Sequence, residues 1–193
     1  AINQGSRRIS DYMAIVDRYQ WLTPENAGWY YMVETCGWYA MDVITKYAHD
    51  HQKRLLYHPL RWWNYDTPYY TAWITEAMAR YPDIMDWVVV NEGWWKGVPT
   101  IGGIDESYKL ARELRPDARL WYNGLLFDES EQEQARRLIE LGFADAVGIQ
   151  CHHTLDTDHG VYMPFVYWLN KNNIPWAVTE LEVGIPNTLT DTL

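Results

Sequence analysis

Asp86-Trp87-Val88-Val89-Val90-Asn91-Glu92 decides how this chain is read. Four consecutive aromatic and β-branched residues, with no polar alternation, fit a strand buried on both faces, as in a parallel sheet covered by helices. The run closes on Asn91 and Glu92, where such a strand meets solvent. Trp176-Ala177-Val178-Thr179-Glu180 repeats the pattern near the other end of the chain. In a β/α barrel the catalytic groups stand at the carboxyl ends of the strands. Two carboxylates posed that way suit glycoside cleavage: one acid protonates the leaving oxygen, and the second attacks the anomeric carbon or activates water. A lone strand-end glutamate is more often plain solvated surface, so the weight rests on the order and company of these two.

Working outward, the sequence predicts six strand-helix units, with strands at 19–23, 54–58, 87–91, 119–123, 146–150 and 176–180. Between them, Met41, Ile44 and Ala48 mark one helix face, and Ile74, Ala77, Met78 and Tyr81 another. Ser130 with Glu133 reads as a capping box for a helix whose apolar series Ala135, Leu138, Leu141 ends at Gly142. Asp105 is expected to cap the helix that stops before Pro116, and a further helix at 8–17 precedes the first strand. This alternation defines the α/β class. A full eight-stranded barrel takes about 250 residues, so 193 residues with six strands are expected to form an incomplete (β/α)8 TIM-barrel, in one catalytic domain spanning 1–193.

The net charge of −10 argues against nucleic acid and is compatible with a neutral substrate. No run of about 18 apolar residues is present to span a membrane, and Ala1-Ile2-Asn3-Gln4 lacks the pattern of a signal peptide. Cys36 and Cys151 fit no metal motif or disulfide framework and read as two buried thiols. Asp156, Asp158 and His159 share a segment, 155–160, that matches no ligand spacing and reads as a solvated turn. The chain holds 12 Trp and 15 Tyr against 3 Phe. Trp and Tyr pair an apolar face with a hydrogen-bonding edge, which serves both packing and stacking on sugar rings. Those after strand ends, Trp29, Trp62, Trp63, Tyr69, Tyr70, Trp94 and Trp95, are the ligand-binding candidates.

Four more strand ends carry polar groups: Thr23-Pro24-Glu25-Asn26, then His58, then Tyr122-Asn123, then Gln150-Cys151-His152. Taken singly, each has an ordinary structural role as a cap, turn or packing residue. Six strand ends with hydrogen-bonding groups together describe a pocket.

In these segments the chain resembles glycoside hydrolase family 10, the retaining endo-xylanase family of barrel enzymes. Thr23-Pro24-Glu25-Asn26 is similar to the family's TPEN segment, and 55–62 to its RGHTLVWH segment, with His58 as the first histidine. Trp87-Val88-Val89-Val90-Asn91-Glu92 resembles WDVVNE, Leu120-Trp121-Tyr122-Asn123 resembles LYYND, Gly148-Ile149-Gln150-Cys151-His152 resembles GIQSH, and Thr179-Glu180-Leu181-Glu182 resembles TELD. The resemblance runs in order over about 19–183. It implies Glu92 as acid/base, Glu180 as nucleophile, His152 as the residue orienting Glu180, and Asn26 and Asn91 as ligands of sugar hydroxyls. Glu25, His58, Trp62, Trp63, Asn123 and Gln150 complete the implied substrate site. It also implies a polysaccharide or oligosaccharide substrate and a secreted or extracellular protein. Neither metal nor organic cofactor is needed, since two carboxylates supply the proton and the nucleophile.

The chain departs from the family pattern at several points. The lysine after TPEN is replaced within Ala27-Gly28-Trp29-Tyr30, the second histidine of VWH is Trp63, and the arginine of RGH is Leu56. Val88 and Gly124 stand where the pattern has aspartates. The first and eighth strands are absent by the same pattern, so the expectation is a gap closed by a second copy or by a longer parent chain. The reading is a retaining glycoside hydrolase acting on β-1,4-linked xylan. Its alternatives are a barrel glycosidase with another β-glycan substrate, and a non-catalytic carbohydrate-binding protein or inactive barrel fragment.

Overall fold

The computed structural model describes residues 9–25, 27–62, 69–154 and 159–184. In chain order these form α1 (Ile9–Val16), β1 (Trp21–Leu22), α2 (Tyr30–Cys36), α3 (Tyr39–Asp50), β2 (Arg54–Tyr57), β3 (Arg61–Trp62) and α4 (Tyr70–Arg80). There follow β4 (Asp86–Asn91), β5 (Trp94–Trp95), β6 (Val98–Pro99), α5 (Ile104–Leu114), β7 (Arg119–Gly124) and α6 (Glu129–Glu140). The last elements are β8 (Ala146–Thr154), a 3-10 turn (His159–Tyr162), α7 (Met163–Lys171) and β9 (Trp176–Gly184).

Six strands lie side by side in the order β1-β2-β4-β7-β8-β9, and every neighbouring pair is parallel. The sheet curls into a half-barrel with helices packed on one face, an incomplete (β/α)8 TIM-barrel. Sequence order equals spatial order because each crossover helix returns the chain to the next position with the same hand. Among the described residues β1 and β9 are the two ends of the sheet and do not pair. All six expected strands are present. β3 and the antiparallel β5–β6 hairpin are additional; β3 runs along β4 beyond the end of β2, pairing Trp62 with Asn91.

Alternate side chains divide between two cores. Trp87, Val89, Val90, Leu120, Tyr122, Val147 and Ile149 face the helices and join one large buried cluster with Ile74, Ala77, Met78, Tyr108 and Leu138. Burying each aliphatic side chain of this kind stabilises the fold by about 1.5–3 kcal/mol. On the other face Leu56, Val88, Trp121 and Ala146 form a small apolar layer with Ala177 against it. Below that layer Asp86, 1 % exposed, accepts the indole N–H of Trp121 at 3.0 Å and an Arg54 N–H at 3.1 Å. Arg119 adds a charge 3.6 Å away, and the Arg54 guanidinium lies 4.0 Å above the Trp21 ring.

Two bulges break the alternation. Val88 pairs with Trp121 but Val90 with Tyr122, and Ile149 pairs with Val178 but Gln150 with Glu180. Val89 and Thr179 are therefore extra residues, and each turns the next strand-end side chain onto the opposite face. Strict alternation would send Asn91 and Glu180 toward the helices; the bulges bring both onto the concave face, level with Asn123 and Gln150.

Several local expectations are corrected. The cap of α6 is Asp128, whose carboxylate accepts the Glu131 N–H at 2.9 Å, two residues earlier than the Ser130–Glu133 box. Gly103, at φ 65°, precedes α5, and Asp105 lies inside the first turn, paired with Arg137 at 2.5 Å. Leu141 is half exposed as the last residue of its turn, and Cys36 is exposed whereas Cys151 is buried. Asp156 and Asp158 lie outside the described residues. No helix among the described residues is long and apolar enough to cross a membrane.

Replacing Asp86 by Ala strands a buried indole N–H and removes the counter-charge of two arginines. The expected cost is about 2–3 kcal/mol of unfolding free energy, against less than about 1 kcal/mol for Asp117→Ala at the exposed Arg115 pair. Urea melts of the two variants check the difference; equal losses would show that Asp86 is not holding the sheet floor.

Candidate active site

The carboxyl ends of β2, β4, β7, β8 and β9 bring His58, Asn91, Glu92, Asn123, Gln150 and Glu180 into one hydrogen-bonded group. Gln150, fully buried, stands at its centre. Its Nε2 is 2.9 Å from Glu92 Oε1, 2.9 Å from Glu180 Oε1 and 3.2 Å from Asn91 Oδ1. The two carboxylate oxygens share one nitrogen and so lie no farther apart than twice 2.9 Å. The amide cannot be reversed, because its carbonyl oxygen would then face two carboxylates.

Glu180 is gripped at both oxygens. Oε1 also accepts Asn123 Nδ2 at 2.9 Å and lies 3.2 Å from His58 Nε2; Oε2 lies 3.2 Å from His152 Nε2. His58 is buried and its Nδ1 has no partner among the described residues, while its Nε2 faces the acceptor-only Glu180 carboxylate and donates to it. His152 is held from the other side by Glu182, 3.1 Å from Nδ1. Burial pushes the Glu180 pKa up, but the hydrogen bond and charge of His58, with the amide donors of Gln150 and Asn123, override it and bring it down to about 2. Asn123 is itself fixed: Nδ2 gives a 2.6 Å bond to Asn91 Oδ1, and Oδ1 accepts the Thr179 hydroxyl. A Cβ on Gly148 would sit 2.1 Å from Asn123 Oδ1, so only glycine leaves room for this amide.

Glu92 follows β4 in a left-handed conformation, φ 52°. That geometry costs a non-glycine residue roughly 1–2 kcal/mol, and it persists because both backbone groups are held. The Glu92 N–H donates to Asn123 O at 2.8 Å, and its carbonyl accepts the Thr100 hydroxyl at 2.7 Å. The carboxylate accepts Gln150 Nε2 on one oxygen and the Trp62 indole N–H, at 2.9 Å, on the other. Trp62 packs edge-on against buried Trp29, with ring centres 5.2 Å apart.

Of the remaining residues read from sequence, Glu25 is exposed and shows no side-chain bond among the described residues. Asn26 and Trp63 lie outside the described residues. Trp94 is buried against Tyr122, and Tyr70 lies 3.9 Å beneath the Arg61 guanidinium, so both serve the core rather than the cleft. Thr179, Glu182, Thr100 and Gly148 were not singled out by the sequence. Thr179, Glu182 and Gly148 stood within the segments that resemble TELD and GIQSH, whereas nothing marked Thr100.

The family model for glycosyl hydrolase family 10 matches residues 1–192. The chain belongs to this family. Endo-1,4-beta-xylanase A of Thermotoga maritima is 33 % identical over 89 residues, which are 37 % of the family 10 chain described here and 8 % of the xylanase. Xylanase 10B from Thermotoga petrophila RKU-1, solved with xylobiose, superimposes with a TM-score of 0.79 at 20 % identity, covering 92 % of this chain and 66 % of that one. A family 10 endoxylanase from a sugarcane soil metagenome gives 0.81 at 18 % identity, with 94 % and 64 % covered. These likenesses show the fold. The chain spans less than two thirds of the length of these relatives.

The depressed Glu180 pKa has a defined sign. Between about 2 and 4.5 the unfolded chain binds the Glu180 proton more readily than the folded one, so this stability is complete above 4.5 and is lost as pH falls toward 2. The stability difference between the native protein and Glu180→Gln is expected to shift against the native protein by roughly 3 kcal/mol between pH 5 and pH 2. Denaturant melts across that range measure it; a constant difference would contradict the donor set assigned to Glu180.

Proposed function

We propose that this family 10 chain carries the catalytic apparatus of a retaining β-glycoside hydrolase acting on β-1,4-linked xylan. The observation that carries the reading is the shared Gln150 nitrogen, 2.9 Å from an oxygen of each glutamate. Retention calls for carboxyl groups about 5–5.5 Å apart, whereas inversion leaves room for a water between groups about 6.5–9.5 Å apart.

Glu180, kept ionised by its donors, attacks the anomeric carbon while Glu92 gives its proton to the leaving oxygen. The glycosidic C–O bond breaks as the glycosyl ester to Glu180 forms, and the alcohol departs. Glu92, now a carboxylate, takes a proton from water as that water attacks the same carbon; the ester bond breaks, Glu180 is released ionised and Glu92 is again protonated. His58, Asn123 and Gln150 hold Glu180 in line. The amide hydrogens of Asn91 have no partner among the described residues, which suits them to a sugar hydroxyl beside the reacting carbon. Trp62 and Trp29 supply apolar surface next to the acid. The names of the relatives, xylanases, and the xylobiose held by one of them favour xylan as the substrate.

Among the described residues β1 and β9 each pair on one side only, which supports a second proposal, that further chain or a second copy of this one closes the barrel beside Glu180. An exposed parallel edge with Val178 and Leu181 in solvent is otherwise a pairing template.

Turnover of nitrophenyl β-xyloside by single variants tests the assignment. Glu180→Ala is expected to be inactive. Glu92→Ala is expected to lose roughly 10²–10⁴-fold on xylo-oligosaccharides, far less on the nitrophenyl substrate, and to yield a β-glycosyl azide when azide is added. An α-azide, or activity without Glu180, would overturn the roles.

A further inference from the structure

The buried carboxylate of Glu131 takes no part in the chemistry above, yet it is built into the strand end that carries the site. It lies on the first turn of α6 with only 4 % of its surface exposed. Oε1 accepts the Tyr122 hydroxyl at 2.7 Å and Oε2 accepts the Leu126 N–H at 2.6 Å. Leu126 is itself buried and left-handed, φ 57°. Its carbonyl is taken by the next residue of the helix, Gln132, whose Nε2 donates at 2.9 Å and also reaches Val161 O at 3.2 Å. Both backbone groups of the strained residue are thus held from α6.

Asn123 lies between the two points that Glu131 holds. It follows Tyr122, whose ring is fully buried against Trp94, and it precedes Gly124, where an added Cβ would meet Glu131 Oε1 at 2.1 Å. Asn123 touches both candidate catalytic glutamates: its carbonyl accepts the Glu92 N–H at 2.8 Å and its side chain donates to Glu180 at 2.9 Å. A shift of β7 at this point would therefore move both carboxylates relative to each other.

We propose that Glu131 is a positioning residue of the site, acting through Tyr122 and Leu126 to hold Asn123 between Glu92 and Glu180, and that Gly124 is required to leave its carboxylate room. This rests on the glycosidase reading for its kinetic consequence, though not for its structural one. Burial pushes the Glu131 pKa up to about 7, against the pull of the Tyr122 and Leu126 donors and with a smaller push from Asp128 and Glu92. The protonated acid fits the same contacts, with the Tyr122 hydroxyl turned to accept. Glutamine reproduces that pattern: its carbonyl takes the Leu126 N–H and its amide donates to Tyr122.

The test uses the 193-residue chain with Glu131→Gln, Glu131→Ala and Gly124→Ala, read by nitrophenyl β-xyloside kinetics and by the ¹⁵N signals of the Asn123 side-chain amide. Glu131→Ala and Gly124→Ala are expected to lower kcat by about tenfold to 10²-fold, the scale of a small misplacement of reacting groups, with KM changed less than about threefold, and both should shift the Asn123 amide signals. Glu131→Gln is expected to keep kcat within about threefold and leave those signals in place. Gly124→Ala keeps the carboxylate and only displaces it, so it decides the matter if Glu131→Ala does not fold. Unmoved Asn123 signals in the alanine variants, full kcat in either of them, or damage in Glu131→Gln equal to that in Glu131→Ala would overturn the proposal. A native chain without turnover would defeat the glycosidase reading alone, and the Asn123 amide would still decide the positioning.

Discussion

The structure depends on the register in which β4, β7, β8 and β9 run side by side. Asn91 pairs with Asn123, and Gln150 with Glu180, only because Val89 and Thr179 are each inserted as an extra residue. Without those bulges Asn91 would carry its amide into the apolar layer under the helices, where an unpaired polar group costs several kcal/mol, and Glu180 would turn away from the concave face. With them, three amides and two carboxylates meet on the concave face, where Gln150 and Asn123 donate to the oxygens of Asn91, Glu92 and Glu180. The left-handed Glu92 and the close approach at Gly148 follow from that arrangement, since both are fixed by contacts with Asn123.

The strands were legible in the sequence because their β-branched and aromatic runs have no other comfortable place than a sheet covered by helices. The strand ends were legible as a set, and so was the order of the elements. The faces were not. Period-two alternation sends Asn91 and Glu180 the wrong way, and nothing in Val88-Val89-Val90 or Val178-Thr179-Glu180 marks which residue is extra. Glu131 was hidden for a different reason: it sits in Glu129-Ser130-Glu131-Gln132-Glu133, a polar run that reads as solvated helix surface. Its burial comes from the loop of Gly124 to Leu126 folding back over the helix start, a tertiary event. The same loop places the cap at Asp128 rather than Ser130.

The departures from the family 10 pattern become coherent in three dimensions. Leu56 and Val88 replace an arginine and an aspartate, and they share one apolar layer with Trp121 and Ala146. Both charges are gone from that layer, so neither is left buried and unpaired, the case that destabilises strongly. Gly124 replaces a second aspartate, and the space beside it holds the carboxylate of Glu131. Substitutions that look like decay along the chain are thus matched in space, while the donors around Glu180 are complete.

The most direct test is to offer the protein an activated 2-deoxy-2-fluoro-β-xyloside and digest it for mass spectrometry. A retaining site slows at the glycosyl-enzyme, so a 2-fluoroxylosyl group is expected on the peptide containing Glu180 and on no other. Attachment to another residue, or hydrolysis of ordinary substrate with inverted product and no labelled peptide, would contradict the account.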